Sequence, residues 1–423
     1  MAWAIRNGPR HGRSDACGRI FHRKRGAPMA STMDHVAYLT GTIGPRGSTT
    51  DAERKAAEYA VRVFRELGLE PRVEPFVSAT SAWRPFAIAT GGMLLMFPVF
   101  FIGGRWIAAL GLFLLVLCTA LELTFTPNPL RWLVPRGRSQ NVYAILPPAG
   151  PVQQRVILCG HLDTHRTPWA FSSLRALAIY RMLVTLGLPG AVGIGGLFLI
   201  GAITGNPNWG LPALLPGLLL AAVFAIAVQA DLTPYTCGAN DNATGAGMVL
   251  ALAERLRREP LQRTEVWALC TGCEEVGAYG AAAFIRQHAD LGRPIFIVLD
   301  TLGGPGSGPC YLVQETMLWP LRSDPELLAL ADGIARSHPE LGAYRWPNFR
   351  GAYTDGAPAV RAGWRVLPFV NLRPDGVLPH WHQPSDVYEN VDPEVVARTE
   401  DFVWKLLRAI DAGLEDRGGA AAP

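Results

Sequence analysis

The feature that most constrains this chain is a run of 49 residues, Met182 to Ala230, without one charged side chain. A helix needs about 20 apolar residues to cross the hydrocarbon core of a bilayer. The breaker Gly205–Gly210 (GNPNWG) divides the run into two spans of roughly twenty residues each. Earlier, Pro85 to Gly104 and Trp106 to Leu121 are also uncharged, with only Arg105 between them. Helices buried in a soluble core are usually shorter and amphipathic. The sequence therefore predicts four transmembrane helices, at about 86–103, 106–125, 181–204 and 211–230, forming two hairpins (residues 86–125 and 181–230).

Composition agrees with that reading. Hydrophobic residues make up 49% and charged residues 17%, against about a quarter charged in ordinary soluble domains. The net charge of +4 is a weak bias, although seven of the 39 basic residues fall in the first 25 positions. No nucleic-acid-binding motif accompanies them, so a nucleic-acid partner is not expected. Residues 1–32 read as a basic, disordered tail, with Met29 or Met33 as alternative starts. Seven cysteines without paired spacing make no disulfide framework, and the lone C-x-x-C of Cys270 and Cys273 reads as small residues at a strand end.

Outside the hairpins the chain alternates strand and helix. Thr50–Glu53 (TDAE) is a capping-box pattern opening an amphipathic helix that stops at Gly68. Strands are expected at 70–78, 139–147, 155–160, 263–271, 294–299 and 366–371. Helices are expected at 247–258, 278–289, 324–337 and from Asp392 to about Ala412. This alternation predicts an α/β fold, a sheet with helices on both faces. Its domain is discontinuous, comprising residues 33–85, 126–180 and 231–423, with the two transmembrane hairpins inserted into it.

The candidate chemistry lies at element ends. His161, Glu275 and Asp300 each follow or end a strand, where open α/β sheets collect their sites. Asp241 sits in a glycine-rich turn, Cys237–Gly247 (CGANDNATGAG), just before a helix. Its carboxylate faces the positive end of that helix, and its two oxygens can bridge two cations. His382 lies in the loop Pro379–Asp386 (PHWHQPSD), which also carries His380. Two imidazoles and three carboxylates suit a pair of divalent ions, most naturally zinc. With Asp241 bridging, His161 and Asp300 serve one ion, and Glu275 and His382 the other. Glu274 is a free carboxylate beside a ligand, placed for proton transfer. Asp163 is placed to orient the His161 ring, and Asp386 to do the same near His382.

As a set, the HLD strand end, the DN-x-T-G turn, Glu274-Glu275, the strand-end Asp300 and the WHQPSD loop resemble the co-catalytic dizinc aminopeptidase family. That family includes bacterial leucyl aminopeptidases, glutamate carboxypeptidase and glutaminyl cyclase. The opening helix, GPRGSTTDAERKAAEYAVRVFRELGLE, is similar too. The resemblance covers roughly 33–80, 139–166 and 231–412. It implies a zinc-peptidase-like mixed sheet, His161, Asp241, Glu275, Asp300 and His382 as ligands, and Glu274 as general base. His-x-x-x-Asp matches the family pattern, which favours His382 over His380. Asp355 lies in a loop similar to one that borders the family's pocket, so a substrate contact is expected there. The implied activity is removal of N-terminal residues from peptides, using two zinc ions. Glutaminyl cyclisation or another amidohydrolase reaction on the same site is the alternative, or a membrane scaffold without catalysis. A carboxypeptidase would need basic residues at the pocket, for which Arg350 and Arg361 are the candidates.

This chain departs from the family in its two hairpins. The second lies between His161 and Asp241, which puts the bilayer near the mouth of the site and favours apolar peptides. Arg84, Arg131, Arg136, Arg138, Arg175 and Arg181 flank the helices on the enzyme side, against Arg105 alone opposite. The positive-inside rule then places the enzyme domain in the cytoplasm. Preferred substrate and oligomeric state are not encoded in any motif.

Overall fold

The computed structural model describes residues 29–413; residues 1–28 of the expected basic tail lie outside the described residues. Helix α1 (Thr32–Tyr38) is capped by Ser31, and α2 (Asp51–Glu66) by Thr50. Strand β1 (Arg72–Ala79) leads into α3 (Arg84–Phe101) and α4 (Arg105–Leu123). Then come β2 (Arg136–Leu146), β3 (Gln154–His161), α5 (Leu174–Thr204) and α6 (Leu214–Asp231). Next are α7 (Thr244–Arg258), β4 (Thr264–Thr271), α8 (Tyr279–Gln287) and β5 (Ile295–Asp300). Three short strands follow, β6 (Cys310–Leu312), β7 (Gln314–Thr316) and β8 (Pro320–Arg322), and then α9 (Pro325–Ser337). The chain closes with β9 (Tyr344–Trp346), β10 (Phe349–Arg350), α10 (Gly356–Arg361), β11 (Arg365–Val370) and α11 (Pro393–Ala412).

Eight strands form one mixed sheet in the order β1-β2-β4-β3-β5-β11-β6-β9. Its centre, β4-β3-β5-β11, is parallel, while β2 and β6 run antiparallel to their inner neighbours. Parallel strands buried on both faces should read as continuous apolar runs, and β3 and β5 do. Val156 and Leu158 point into a core with α1, α2, α7, α9 and α11, while Ile157 and Cys159 face α8 and α10 on the other side. The expected α/β sheet with helices on both faces is the fold observed. Strands β6 to β10, two or three residues each, are too short to carry a period and have no counterpart in the sequence reading.

The apolar segments form the two expected hairpins, α3–α4 and α5–α6, which pack together as a four-helix bundle. Helix α5 starts at Leu174, seven residues before the expected boundary at 181, and runs for 31 residues through Pro189. The bundle core is aromatic: Phe100 stacks on Phe198 with ring centroids 4.3 Å apart. Glycine is required there, since a Cβ on Gly201 or Gly210 would fall 2.4 or 2.7 Å from the Phe100 ring. A third or less of each apolar window is buried. Leu110, Leu114, Leu215 and Leu218 on the outer faces are each more than half exposed. All four helices are long and apolar enough to cross a membrane. Two ion pairs fasten their sheet-side ends: Arg84 with Asp231 at 2.6 Å, and Arg131 with Glu122 at 3.0 Å.

Candidate metal centre

The site forms where parallel strands end. Strands β3 and β5 are hydrogen-bonded neighbours, so their last residues, His161 and Asp300, emerge side by side. The turn before α7 crosses directly over them. It can come this close because Gly160 and Gly245 lack side chains: a Cβ on Gly245 would sit 2.0 Å from the Leu299 carbonyl, and one on Gly160 2.7 Å from the Gly245 backbone. The asparagines flanking Asp241 lock the turn in place. Asn242 accepts the Thr301 N–H and donates to the Leu299 carbonyl, and Asn240 accepts the Gly303 N–H.

Asp241 thus lies between two imidazoles. One oxygen is 3.3 Å from His161 Nε2 and the other 3.2 Å from His382 Nε2. Asp300 Oδ1 lies 3.7 Å from His161 Nε2, and Glu275 Oε2 lies 3.4 Å from His382 Nε2. Two donors each about 2.1 Å from one ion at a tetrahedral angle stand about 3.4 Å apart. The observed separations therefore suit a cation on either side of Asp241, in the partition expected from sequence. The chemistry of the donors agrees. His161 Nε2, Glu274 Oε1 and Glu275 Oε1 are buried without a hydrogen-bond partner among the described residues. Buried polar atoms left so are costly unless something else satisfies them.

The turn that carries Glu274 and Glu275 hangs from two buried carboxylates. Glu53 accepts the Cys273 N–H at 2.8 Å; Asp163 accepts the Glu274 and Glu275 N–H groups at 3.0 and 3.1 Å. Asp163 also accepts the Ser48 hydroxyl, at 2.6 Å. Two expectations change here. The closest partner of His161 Nδ1 is the Asp163 carbonyl, at 3.1 Å, while the carboxylate stands 3.6 Å away and is occupied by the turn. Only half the capping box forms: Thr50 accepts the Glu53 N–H, but the Glu53 carboxylate reaches Thr49 and Cys273 instead of the cap. Cys270 and Cys273 are buried and unbridged, as small strand-end residues should be.

Asp386 has the same habit. Its carboxylate accepts the N–H groups of Asn240 and Asp241, at 2.7 and 3.1 Å, and so holds the bridging turn and not the His382 ring. Asp355 does not line the cavity. It is buried behind the strands, where it accepts the Thr271 hydroxyl and the Cys159 thiol. Tyr353, two residues earlier, lines the cavity in its place. His380 hydrogen-bonds Ser385 and stays outside the cluster. Of the arginines weighed for a terminal carboxylate, neither Arg350 nor Arg361 lines the cavity. Two residues went unnoticed in the sequence. Arg46, fully buried, donates to five carbonyls, those of Leu39, Gly44, Leu162, Cys237 and Gly238, tying the end of β3 to the bridging turn. His165 stacks on His382 at 3.6 Å; its only sequence signal is the spacing His161-x-x-x-His165.

Crowding of carboxylates sets the electrostatics. Burial drives the Glu274 carboxyl well above its usual range; His161 opposes this, while Glu275, Asp300 and Asp355 reinforce it. Glu275 is raised the same way, by burial and then by Asp241. Burial would raise Asp241 too, but its contacts with His161 and His382 hold it far below the ordinary carboxylate range. Burial pulls His161 down, and Asp163, Asp241 and Asp300 more than reverse that. Such a cluster concentrates negative charge at a point where dications relieve it.

The cluster opens into a cavity of about 140 Å³. Its floor is Asp241, Glu274, Glu275, Asp300 and His382. Its walls are aromatic and come largely from the hairpin ends: Trp83 and Phe86 from the start of α3, Phe125 after α4, and Phe171 and Tyr180 around the start of α5.

Residues 223–407 match the family described as Peptidase family M28. The match covers less than half of the chain. It contains Asp241, Glu274, Glu275, Asp300 and His382, while His161 and Asp163 precede it. A vacuolar membrane protease of Lachancea thermotolerans is 24% identical over 195 residues, 46% of this chain and 18% of that one. The chain thus spans less than a fifth of that relative. Among solved structures, a zinc aminopeptidase from Bacillus subtilis superposes with a TM-score of 0.53 at 15% identity, over 90% of this chain and 95% of its own. A glutaminyl cyclase from Fimbriiglobus ruber gives 0.52 at 15%, over 92% and 97%. At these identities the likeness is one of fold, and it lies in the α/β body that carries the two apolar hairpins.

Proposed function

We propose that this chain is a membrane-anchored, zinc-dependent aminopeptidase of the M28 type that would hold two ions across Asp241. The observation that carries the reading is the placement of the two Asp241 oxygens, 3.3 and 3.2 Å from imidazoles on opposite sides. His161 and Asp300 would hold one ion, and Glu275 and His382 the other. Bound there, the ions would acidify water and polarise the scissile carbonyl. Glu274 has one oxygen unpartnered and the other 3.9 Å from His161 Nε2, and it takes the proton of the attacking water. It then delivers that proton to the leaving amine nitrogen. Because Asp163 grips the backbone of both Glu274 and Glu275, base and ligand keep a fixed relation to each other.

The hairpins then supply specificity. An aromatic wall made by helix ends at the membrane boundary suits a large apolar N-terminal residue, presented by a peptide at the bilayer surface. The arginines flanking the sheet-side ends support a cytoplasmic enzyme domain. The fold favours a cyclase as much as a peptidase, so chemistry must decide. Metal content of the purified protein should be about two ions per chain, both in the unaltered chain and in Glu274→Gln. Hydrolysis of aminoacyl-nitroanilides should be lost in the variant and on chelation. Metal-dependent cyclisation of N-terminal glutamine without nitroanilide release would replace the peptidase reading, and silence with both substrates would reduce the chain to a scaffold.

A further inference from the structure

We propose that the groove between the end of β1 and the loop after α4 is a headgroup site for an anionic phospholipid, with Arg136 and Arg138 supplying the positive charge. The inference rests on the membrane-anchored reading and assigns a bilayer contact outside the four apolar helices.

Pro129 and Pro135 bracket a single helical turn, Leu130–Leu133. Leu130 is buried in one cluster with Ala89 of α3 and Cys118 of α4. Ala89 lies five residues into α3 from Arg84, and Cys118 five residues before the end of α4 at Leu123. At 1.5 Å per residue that is about 7 Å along each axis. The turn therefore lies alongside the bundle and not beyond its end. Trp132 and Leu133 are 76% and 67% exposed there. A tryptophan and a leucine at that height suit the boundary between headgroups and acyl chains.

Beside the turn is a groove of about 400 Å³, lined by Val77, Ala79, Arg131, Trp132, Arg136 and Tyr279 among others. The Arg131 guanidinium lies over the Tyr279 ring, 4.7 Å from its centroid, and its charge is matched by Glu122 at 3.0 Å. Arg136 donates only to the Arg131 carbonyl, at 3.2 and 3.1 Å. Arg138 stands opposite the exposed Val77 across the β1–β2 ladder, on the same face of the sheet. Both arginines are exposed, and neither pairs with a carboxylate among the described residues. The Tyr279 hydroxyl also has no hydrogen-bond partner among the described residues. Two unneutralised guanidiniums beside an apolar groove fit a phosphodiester carrying acyl chains. A free phosphate would use the charge and leave Trp132 and Leu133 uncovered, which favours the lipid.

The test counts lipids retained by the full chain in native mass spectrometry, during titration with phosphatidylglycerol or phosphatidylcholine. The unaltered protein should retain one phosphatidylglycerol in preference to phosphatidylcholine. An arginine near an anionic surface contributes about 1 kcal/mol, or about fivefold. Arg136→Gln should therefore weaken retention about fivefold, and Arg136→Gln with Arg138→Gln about 25-fold. Both side chains are exposed, so the variants should fold. Arg175→Gln, an exposed arginine at the start of α5 and outside the groove, should leave retention unaltered. Equal retention of the two lipids by the unaltered protein would overturn the inference. So would an equal loss in Arg175→Gln, because any charge at the rim would then suffice. Displacement of phosphatidylglycerol by inorganic phosphate alone would make this a phosphate site and overturn it too. If the unaltered protein does not enter lipid nanodiscs, the membrane-anchored reading falls with it.

Discussion

Asp163→Asn tests whether the Glu274-Glu275 turn is positioned from beneath. Asp163 accepts three hydrogen bonds, from the N–H groups of Glu274 and Glu275 and from the Ser48 hydroxyl. Asparagine has the same shape but only one acceptor oxygen, so its amide nitrogen must face an N–H it cannot bond. A hydrogen bond to a charged group contributes about 1.5–3 kcal/mol. Losing one and weakening the rest should destabilise the protein by about 2–4 kcal/mol. The larger effect should be on function. A shift of about 1 Å in a catalytic group costs on the order of a hundredfold in rate, and loss of a supporting contact weakens metal binding about 10- to 100-fold. Melting in detergent, zinc affinity and nitroanilide turnover at saturating zinc should all fall together. Ser48→Ala is the internal control: it leaves both backbone contacts in place and should lower stability by about 1 kcal/mol with turnover unaltered. If Asp163→Asn binds zinc normally and turns over within about threefold of the unaltered enzyme, the turn is held by something else.

Three further outcomes follow from the same geometry. Phe86→Ala and Tyr180→Ala each remove part of the aromatic wall, so kcat/KM for leucine or phenylalanine substrates should fall about 10- to 200-fold relative to alanine; an unchanged preference would remove the hairpins from the pocket. Burial raises Glu315 to about 8, with Thr354 opposing and Asp300 adding to the rise. An acid with a raised folded-state value is neutral in both states at low pH. It loses stability as pH climbs from its unfolded value towards 8, by an amount on the order of 3–5 kcal/mol. Glu315→Gln should therefore flatten the pH dependence of melting between about pH 5 and pH 8, and an unchanged profile would refute the burial argument. Finally, a cysteine at Asn208, in the turn between α5 and α6, should react with an impermeant thiol reagent on whole cells; protection would reverse the orientation.

How much of this could be read from the sequence depends on how each residue acts. The proposed ligands would act through their own atoms, so residue type and position at an element end suffice to pick them out: His161, Asp241, Glu275, Asp300 and His382 lie together in the fold. The residues beneath them act on backbone groups. Glu53, Asp163 and Asp386 accept N–H groups, and Arg46 donates to carbonyls. Every residue but proline offers the same N–H, so no pattern of side chains marks which one a carboxylate will grip. For that reason the sequence points Asp163 and Asp386 to neighbouring imidazoles, the only partners visible in one dimension. Asp355 is expected at the pocket because its loop resembles one that borders it; the loop does reach the pocket but presents Tyr353 there. The short strands β6 to β10 escaped because two or three residues hold no period.

The hairpins carry a different lesson about insertion. Sequence placed the second one close after His161 and so near the site, but gave no reason to bring the first one there. In the fold, Arg84 at the start of α3 pairs with Asp231 at the end of α6, so the hairpins are joined at the end that faces the sheet. Trp83, which precedes α3, then lies 5.8 Å from His165 and 5.9 Å from Tyr180 on α5. A bundle fastened in this way cannot shift relative to the α/β body without moving the wall of the cavity. On the proposed reading, membrane attachment and substrate selection are therefore one structural problem in this chain. A variant without the hairpins should lose the apolar pocket even if His161, Asp241, Glu275, Asp300 and His382 keep their places.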